Sequence, residues 1–269
     1  MPEGGYYDMA DEHPLKPFYS VLVLAFGCSL LVAVAAVGLR PLQDANKQLD
    51  QKKNILNAAG IYQPDTPVAE QFSLIETKIV DLSSGEYVAS ETVNPASYNQ
   101  LGAALSEESG RGLDRSEDPA GIRRLEKYSL VYLVREGDSV AQVVLPVRGK
   151  GLWSTMYAYV AVESDLTTIK GISFYEHGET PGLGGEVQNP RWQAGWQNKK
   201  LYSPEGDMAL DIVKSGAQGS PEELPYMIDG LSGATLTSQG VENLIHFWFG
   251  DSGFQPFFNR IKREGGFNG

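Results

Sequence analysis

The sequence predicts an α+β protein: a single N-terminal transmembrane helix, followed by a domain with a mainly antiparallel sheet and flanking helices. Three observations lead there. The stretch from Pro17 to Leu39 carries no charged side chain between Lys16 and Arg40. Four apolar-rich segments between Tyr128 and Glu176 are separated by short Gly- and Asp-containing turns. Near the end of the chain, Val241, Leu244, Ile245 and Trp248 fall at i, i+3, i+4 and i+7, the spacing of one buried helical stripe.

The uncharged stretch is long enough to cross a hydrocarbon core of about 30 Å. A cleaved leader would carry a basic region before its apolar run, whereas Glu3, Asp8, Asp11 and Glu12 stand there. It therefore reads as a retained anchor. Only Lys16 precedes the span, while Arg40, Lys47, Lys52 and Lys53 follow it. Taken alone, that balance would put the large domain in the cytoplasm, although long domains can translocate despite local charge. The expected organisation is an N-terminal tail (1–16), a transmembrane helix (17–39), a connecting helix (40–60) ending at Gly60, and a folded domain (61–269).

Composition narrows the function classes. A chain of 269 residues with 42% hydrophobic content can bury a sizeable core, and a formal net charge of −12 repels nucleic acid. Cys28 is the only cysteine, which excludes an intrachain disulfide, and His13, His177 and His246 are too dispersed for a zinc site.

Within the folded domain, alternation over Glu76 to Leu82, a Ser-Ser-Gly turn and Tyr87-Val88 predict a hairpin. Ser106 to Arg124, rich in charge, Gly and Ser, reads as a mobile insertion or surface loop. Strands are expected at Tyr128 to Val134, Ser139 to Val147, Ser154 to Glu163 and Thr167 to Glu176, and their short turns imply antiparallel pairing. The last helix carries the apolar stripe and stops at Gly250.

Two runs could carry chemistry. The first is Asp229-Gly230-Leu231-Ser232-Gly233-Ala234-Thr235, which leads through small residues into the last helix. Exposed N–H groups and the positive end of the helix dipole suit an anion there. Gly233 and Ala234 allow close approach, and Ser232, Thr235, Thr237 and Ser238 add hydroxyls. On local physics alone the same residues read rather as a turn at Asp229-Gly230 with Thr237 or Ser238 capping the helix, which needs no ligand. A serine nucleophile elbow fails because Ala234 stands where its last glycine belongs, and His246, between Ile245 and Phe247, reads as core.

The second run, His177-Gly178-Glu179-Thr180-Pro181-Gly182-Leu183-Gly184-Gly185-Glu186, follows a strand. Val187 occupies the third glycine position of a dinucleotide fingerprint, and Val144 the first glycine of a P-loop around Lys150, so neither motif is present. A loop of this kind can lie flat against a planar group, with Leu183 as an apolar contact, or be a plain strand-end turn.

The run Asp229 to Thr235 resembles the flavinylation motif of the FMN-binding domain family. Lys52-Lys53-Asn54-Ile55-Leu56-Asn57-Ala58-Ala59-Gly60, Gly149-Lys150-Gly151-Leu152-Trp153-Ser154, Glu179 to Glu186 and Leu231 to Gly240 narrow the likeness, in order and over nearly the whole chain. They are similar to the C-subunit family of the sodium-translocating NADH:quinone oxidoreductases. The G subunit of Rnf-type ferredoxin:NAD oxidoreductases is the nearest alternative, and a noncatalytic membrane-tethered binding module is the alternative from another class.

The resemblance implies a covalent FMN, esterified through its phosphate to Thr235 by a separate flavin transferase that takes it from FAD, with Thr237 as second candidate. No base neighbours Thr235 except Asp229, so the activating base is expected from outside. The flavin contacts expected are Ser232, Gly233, Ala234, Thr237, Asp229, Glu179, Thr180, Gly182, Leu183 and Gly184, with Lys214 and Lys150 balancing charge. The resemblance further implies a redox relay in the bacterial inner membrane, the domain facing the periplasm. Its partners would be a second flavin-bearing subunit and iron-centre subunits, in a machine that oxidises NADH, reduces ubiquinone and moves sodium outward.

Overall fold

A computed structural model describes residues 15–214, 216 and 219–267, and the expected N-terminal tail lies almost wholly outside them. The chain divides into two units, Met1–Gln48 and Leu49–Gly269. The first contains most of helix α1 (Lys16–Ala58), which is long and apolar enough to cross a membrane. Its apolar side chains are exposed, Phe26 and Leu31 among them. The expected transmembrane and connecting helices are one continuous helix with Pro41 inside it. Proline has no N–H to give the preceding turn, yet the helix continues on either side of it.

In the second unit, a short helix α2 (Val68–Phe72) leads into strand β1 (Ile75–Asp81), which pairs with β2 (Tyr87–Val88) as the expected hairpin. Helix α3 (Gln100–Leu105) and the antiparallel pair β3 (Gly110–Gly112) and β4 (Arg124–Glu126) follow. Then come β5 (Tyr128–Glu136), β6 (Ser139–Lys150), β7 (Thr155–Glu163) and β8 (Ile169–Glu176). The main sheet has the order β2-β1-β5-β6-β7-β8 and is antiparallel throughout. Beyond it lie α4 (Pro190–Ala194), a parallel pair β9 (Asp211–Val213) and β10 (Met227–Asp229), α5 (Thr235–Trp248) and α6 (Gln255–Arg263).

Strand alternation sorts the core into two faces. Val131, Leu133, Val143, Leu145, Val147 and Val160 point to one cluster, which holds the α5 stripe and Phe257, Phe258 and Ile261 of α6. Their neighbours Tyr132, Val134, Val144, Tyr159 and Ala161 point to the other, covered by Ile55, Leu56 and Ala58 at the end of α1. With both faces covered, β6 is buried along most of its length.

Segment 106–124 lies at the surface, but it carries regular structure of its own. Asp118 accepts from the amides of Ile122 and Arg123, and the Arg124 guanidinium donates to the carbonyls of Ala104 and Ser106. Composition could not show this, because Arg124 binds carbonyls 20 and 18 residues away in sequence. Beneath the segment, Glu126 is buried and paired with Arg148 at 2.5 Å.

Candidate functional site

The parallel pair β9 and β10 delivers the chain to the first run, with Gly230 N donating to Val213 O at 2.7 Å. Leu231 N donates to Ser238 Oγ at 2.9 Å and Ala234 N to Leu231 O at 3.1 Å. These bonds fold residues 230–234 into a tight turn, with Gly233 in left-handed backbone at φ 71°. A side chain there would be strained.

Helix α5 then begins at Thr235, with Ala234 at the capping position and no side-chain cap. The first-turn amides therefore have no intrahelical acceptor and no capping oxygen. The capped-turn reading is corrected: Ser238 reaches back to Leu231, and Thr237 is buried with its hydroxyl on Glu179 at 2.7 Å. Thr237 is thus not the exposed hydroxyl expected of a second acceptor. Thr235 and Ser232 are exposed.

The second run folds against this turn. Thr180 O accepts from Leu183 N and Gly185 N, and Gly182 has φ 76°. Leu183, 44% exposed, lies with a methyl carbon 3.3 Å from where a Cβ on Gly233 would sit, so the two runs touch. Glu179 is buried and accepts from Leu152 N at 3.2 Å, Trp153 N at 2.9 Å and Ser154 N at 3.1 Å, as well as from Thr237. Burial alone would raise its pKa, but the Thr237 hydroxyl and these three amides outweigh it and hold the carboxyl below the ordinary glutamate range.

The remaining expected residues are more dispersed. Lys214 is exposed just after β9, one residue beyond the partner of Asp229. Lys150 is also exposed, its ammonium 3.3 Å from Trp153 O. The Asp229 carboxylate accepts from Gly216 N at 3.0 Å, and its carbonyl from Trp192 Nε1 at 2.7 Å. His246 sits 2.6 Å from Leu210 O near the far end of α5, away from Ser232, which leaves no serine–histidine pair there.

Sequence reasoning missed the apolar rim: Leu152, Trp153 and Leu236 are exposed on two of the segments that meet at Glu179. The available signal was a bulky Leu-Trp pair inside an otherwise glycine- and serine-rich turn.

Residues 151–250 match the FMN-binding domain family. The C subunit of the Na(+)-translocating NADH-quinone reductase of Pseudomonas aeruginosa is 44% identical over 94% of this chain and 97% of its own length. That of Vibrio vulnificus is 45% identical over 97% and 100% respectively. The chain belongs to this C-subunit family. Among solved structures, NqrC of Shewanella oneidensis superposes with a TM-score of 0.75 at 34% identity, covering 81% of this chain and 99% of that one. The C subunit from Parabacteroides distasonis gives 0.62 at 26% identity, covering 81% and 96%.

The residues present fit an FMN. An exposed hydroxyl stands at an uncapped helix start, a glycine-built turn admits bulk, and Leu183, Leu236 and Trp153 offer apolar surface for a ring system.

Proposed function

We propose that this membrane-anchored subunit relays electrons through an FMN esterified to Thr235, within a sodium-pumping NADH:ubiquinone oxidoreductase. The observation carrying this is the exposed Thr235 hydroxyl at the start of a helix whose first-turn amides have no side-chain cap. Bound FMN would supply the one-electron chemistry. The chain's own residues anchor, orient and shield it.

In maturation, the Thr235 oxygen would take the FMN phosphoryl group from FAD, forming a bond to phosphorus as the P–O bond to the AMP moiety breaks and AMP leaves. The hydroxyl proton would pass to a base of the flavin transferase, since the Asp229 carboxylate is turned to Gly216 N and no bond links it to Thr235 among the described residues. The first-turn amides and Ser232 would then hold the phosphate. Gly233 and Ala234 leave room for it, while the Thr180–Gly184 loop, through Leu183, offers a face to the ring. Lys214, just after β9, and Lys150, at the end of β6, would offset negative charge. A tether fixes the cofactor at high local concentration whatever its redox state.

The anchor places the domain at the membrane, in the bacterial inner membrane and facing the periplasm in our reading, beside iron-centre subunits and a second flavin-bearing subunit. Protease digestion of the domain in right-side-out spheroplasts is expected, and full protection would refute that orientation. For the tether, the full chain co-expressed with a flavin transferase is precipitated in acid. A fluorescent pellet is expected, with FMN mass on the peptide containing Thr235. A colourless pellet, or flavin retained by Thr235→Ala, refutes the assignment.

A further inference from the structure

Glu179 is 4% exposed and forms no ion pair among the described residues. Its two oxygens instead receive four donors from two separate segments. Oε1 takes Trp153 N and Ser154 N, and Oε2 takes Leu152 N and Thr237 Oγ1. Three consecutive amides form a concave cradle that suits an anion, and the fourth donor stands in the first turn of α5, two residues beyond Thr235.

The packing around this carboxylate leaves no slack. A Cβ on Gly151 would come within 2.6 Å of Glu179 Oε1, and one on Gly184 within 2.9 Å of Oε2 and 2.5 Å of Thr237 Oγ1. Two of the glycines that mark the motif runs are therefore small because they close over Glu179. Neither is needed for its left-handed backbone, since neither has a positive φ.

We propose that Glu179 is a positioning residue for flavin attachment: its buried carboxylate locks the first turn of α5 to the 152–154 turn and so fixes the direction of the Thr235 hydroxyl. This rests on Thr235 being the acceptor. With its oxygens taken by the cradle amides and Thr237, Glu179 does not occupy the first-turn amides of α5 that would receive phosphate. The same charge, held beneath the Thr180–Gly184 loop, disfavours adding an electron to a ring lying on that loop.

The test uses the full chain in detergent, with purified flavin transferase and FAD. Glu179→Gln keeps one accepting oxygen for the Trp153 and Ser154 amides but turns an NH2 group towards the Leu152 N–H. Flavin incorporation is expected to fall about tenfold to a hundredfold, the scale of effect for a reacting group displaced by up to an ångström. The flavin this variant does acquire is expected to show a more positive midpoint potential, because a neutral amide replaces the charge. Thr237→Val cuts the link to the helix and keeps the carboxylate in its cradle. It is expected to slow incorporation and leave the potential unchanged.

Incorporation at the wild-type rate in Glu179→Gln, or an unchanged potential in it, overturns the inference. Should Glu179→Gln not fold, by circular dichroism, Thr237→Val decides through its incorporation rate alone. Failure of the acceptor assignment is separately visible, as wild-type chain carrying no flavin on Thr235.

Discussion

Among the described residues, two carboxylates are buried in the folded unit, and they are satisfied in opposite ways. Glu126, 1% exposed, faces a guanidinium: Arg148 binds it through Nη1 at 2.9 Å and Nη2 at 2.5 Å, and Gln100 adds a third donor. Arg148 also lies 5.2 Å from the ring of Trp248, so the pair is built into the main core. Glu179 has only neutral donors, one of them in the first turn of α5 beside the candidate acceptor. The first arrangement cancels charge and joins the 106–126 segment to the sheet. The second holds a net charge next to a candidate anion site. A structural ion pair is insulated from its surroundings, whereas an uncancelled charge acts on whatever binds beside it.

The contrast breaks first at Arg148. Arg148→Ala strands the Glu126 carboxylate without its cation and is expected to cost about 3–5 kcal/mol in urea unfolding, the range for removing one partner of a buried pair. A cost near zero would mean the segment is not fastened through this pair. Replacing both partners, with Glu126→Leu and Arg148→Met, should recover most of that loss.

Gly184→Ala and Gly151→Ala force a methyl against Glu179 and are each expected to cost about 1–3 kcal/mol, as overpacking does. Glu179→Gln keeps one of the two accepting oxygens and should cost about 1–2 kcal/mol by the same measurement. If it costs as much as Arg148→Ala, the two carboxylates are both chiefly structural and the distinction between them fails.

Acidity separates them further. Because Glu179 is held below the ordinary glutamate value near 4.5, its contribution to stability is fully present above that value and is lost as pH falls through the lower folded value. Wild-type stability should therefore decline on acidification below about pH 4.5 more steeply than that of Glu179→Gln, measured as the urea midpoint against pH. Equal slopes would mean the carboxylate is not preferentially ionised in the fold. The smallest effect is expected at the acceptor: Thr235→Ala, exposed and outside the cap, should change stability by less than about 0.5 kcal/mol while abolishing covalent flavin.

Much of this was legible in the chain itself. Local periodicity is enough for the hairpin at β1 and β2, the four long strands and the α5 stripe, because each of those patterns repeats within a few residues. The glycine-rich loop and the Ser-Gly-Ala-Thr turn were visible as runs, and order along the chain tied them to a family. What they do to each other was not visible. Thr237 read as a spare hydroxyl and Glu179 as a flavin contact. Only folding brings Thr237 Oγ1 onto Glu179 and the 152–154 amides onto the same carboxylate, across separations of 58 and 25–27 residues. Arg148 and Glu126 likewise meet only through strand register. The anchor, the hairpin, the four long strands and α5 are set by neighbours a few positions apart and so were fixed in the chain itself, and the order of the motifs singled out Thr235. Which hydroxyl stays exposed and which carboxylate keeps its charge was decided by tertiary packing, since burial and hydrogen-bond partners are set by distant segments.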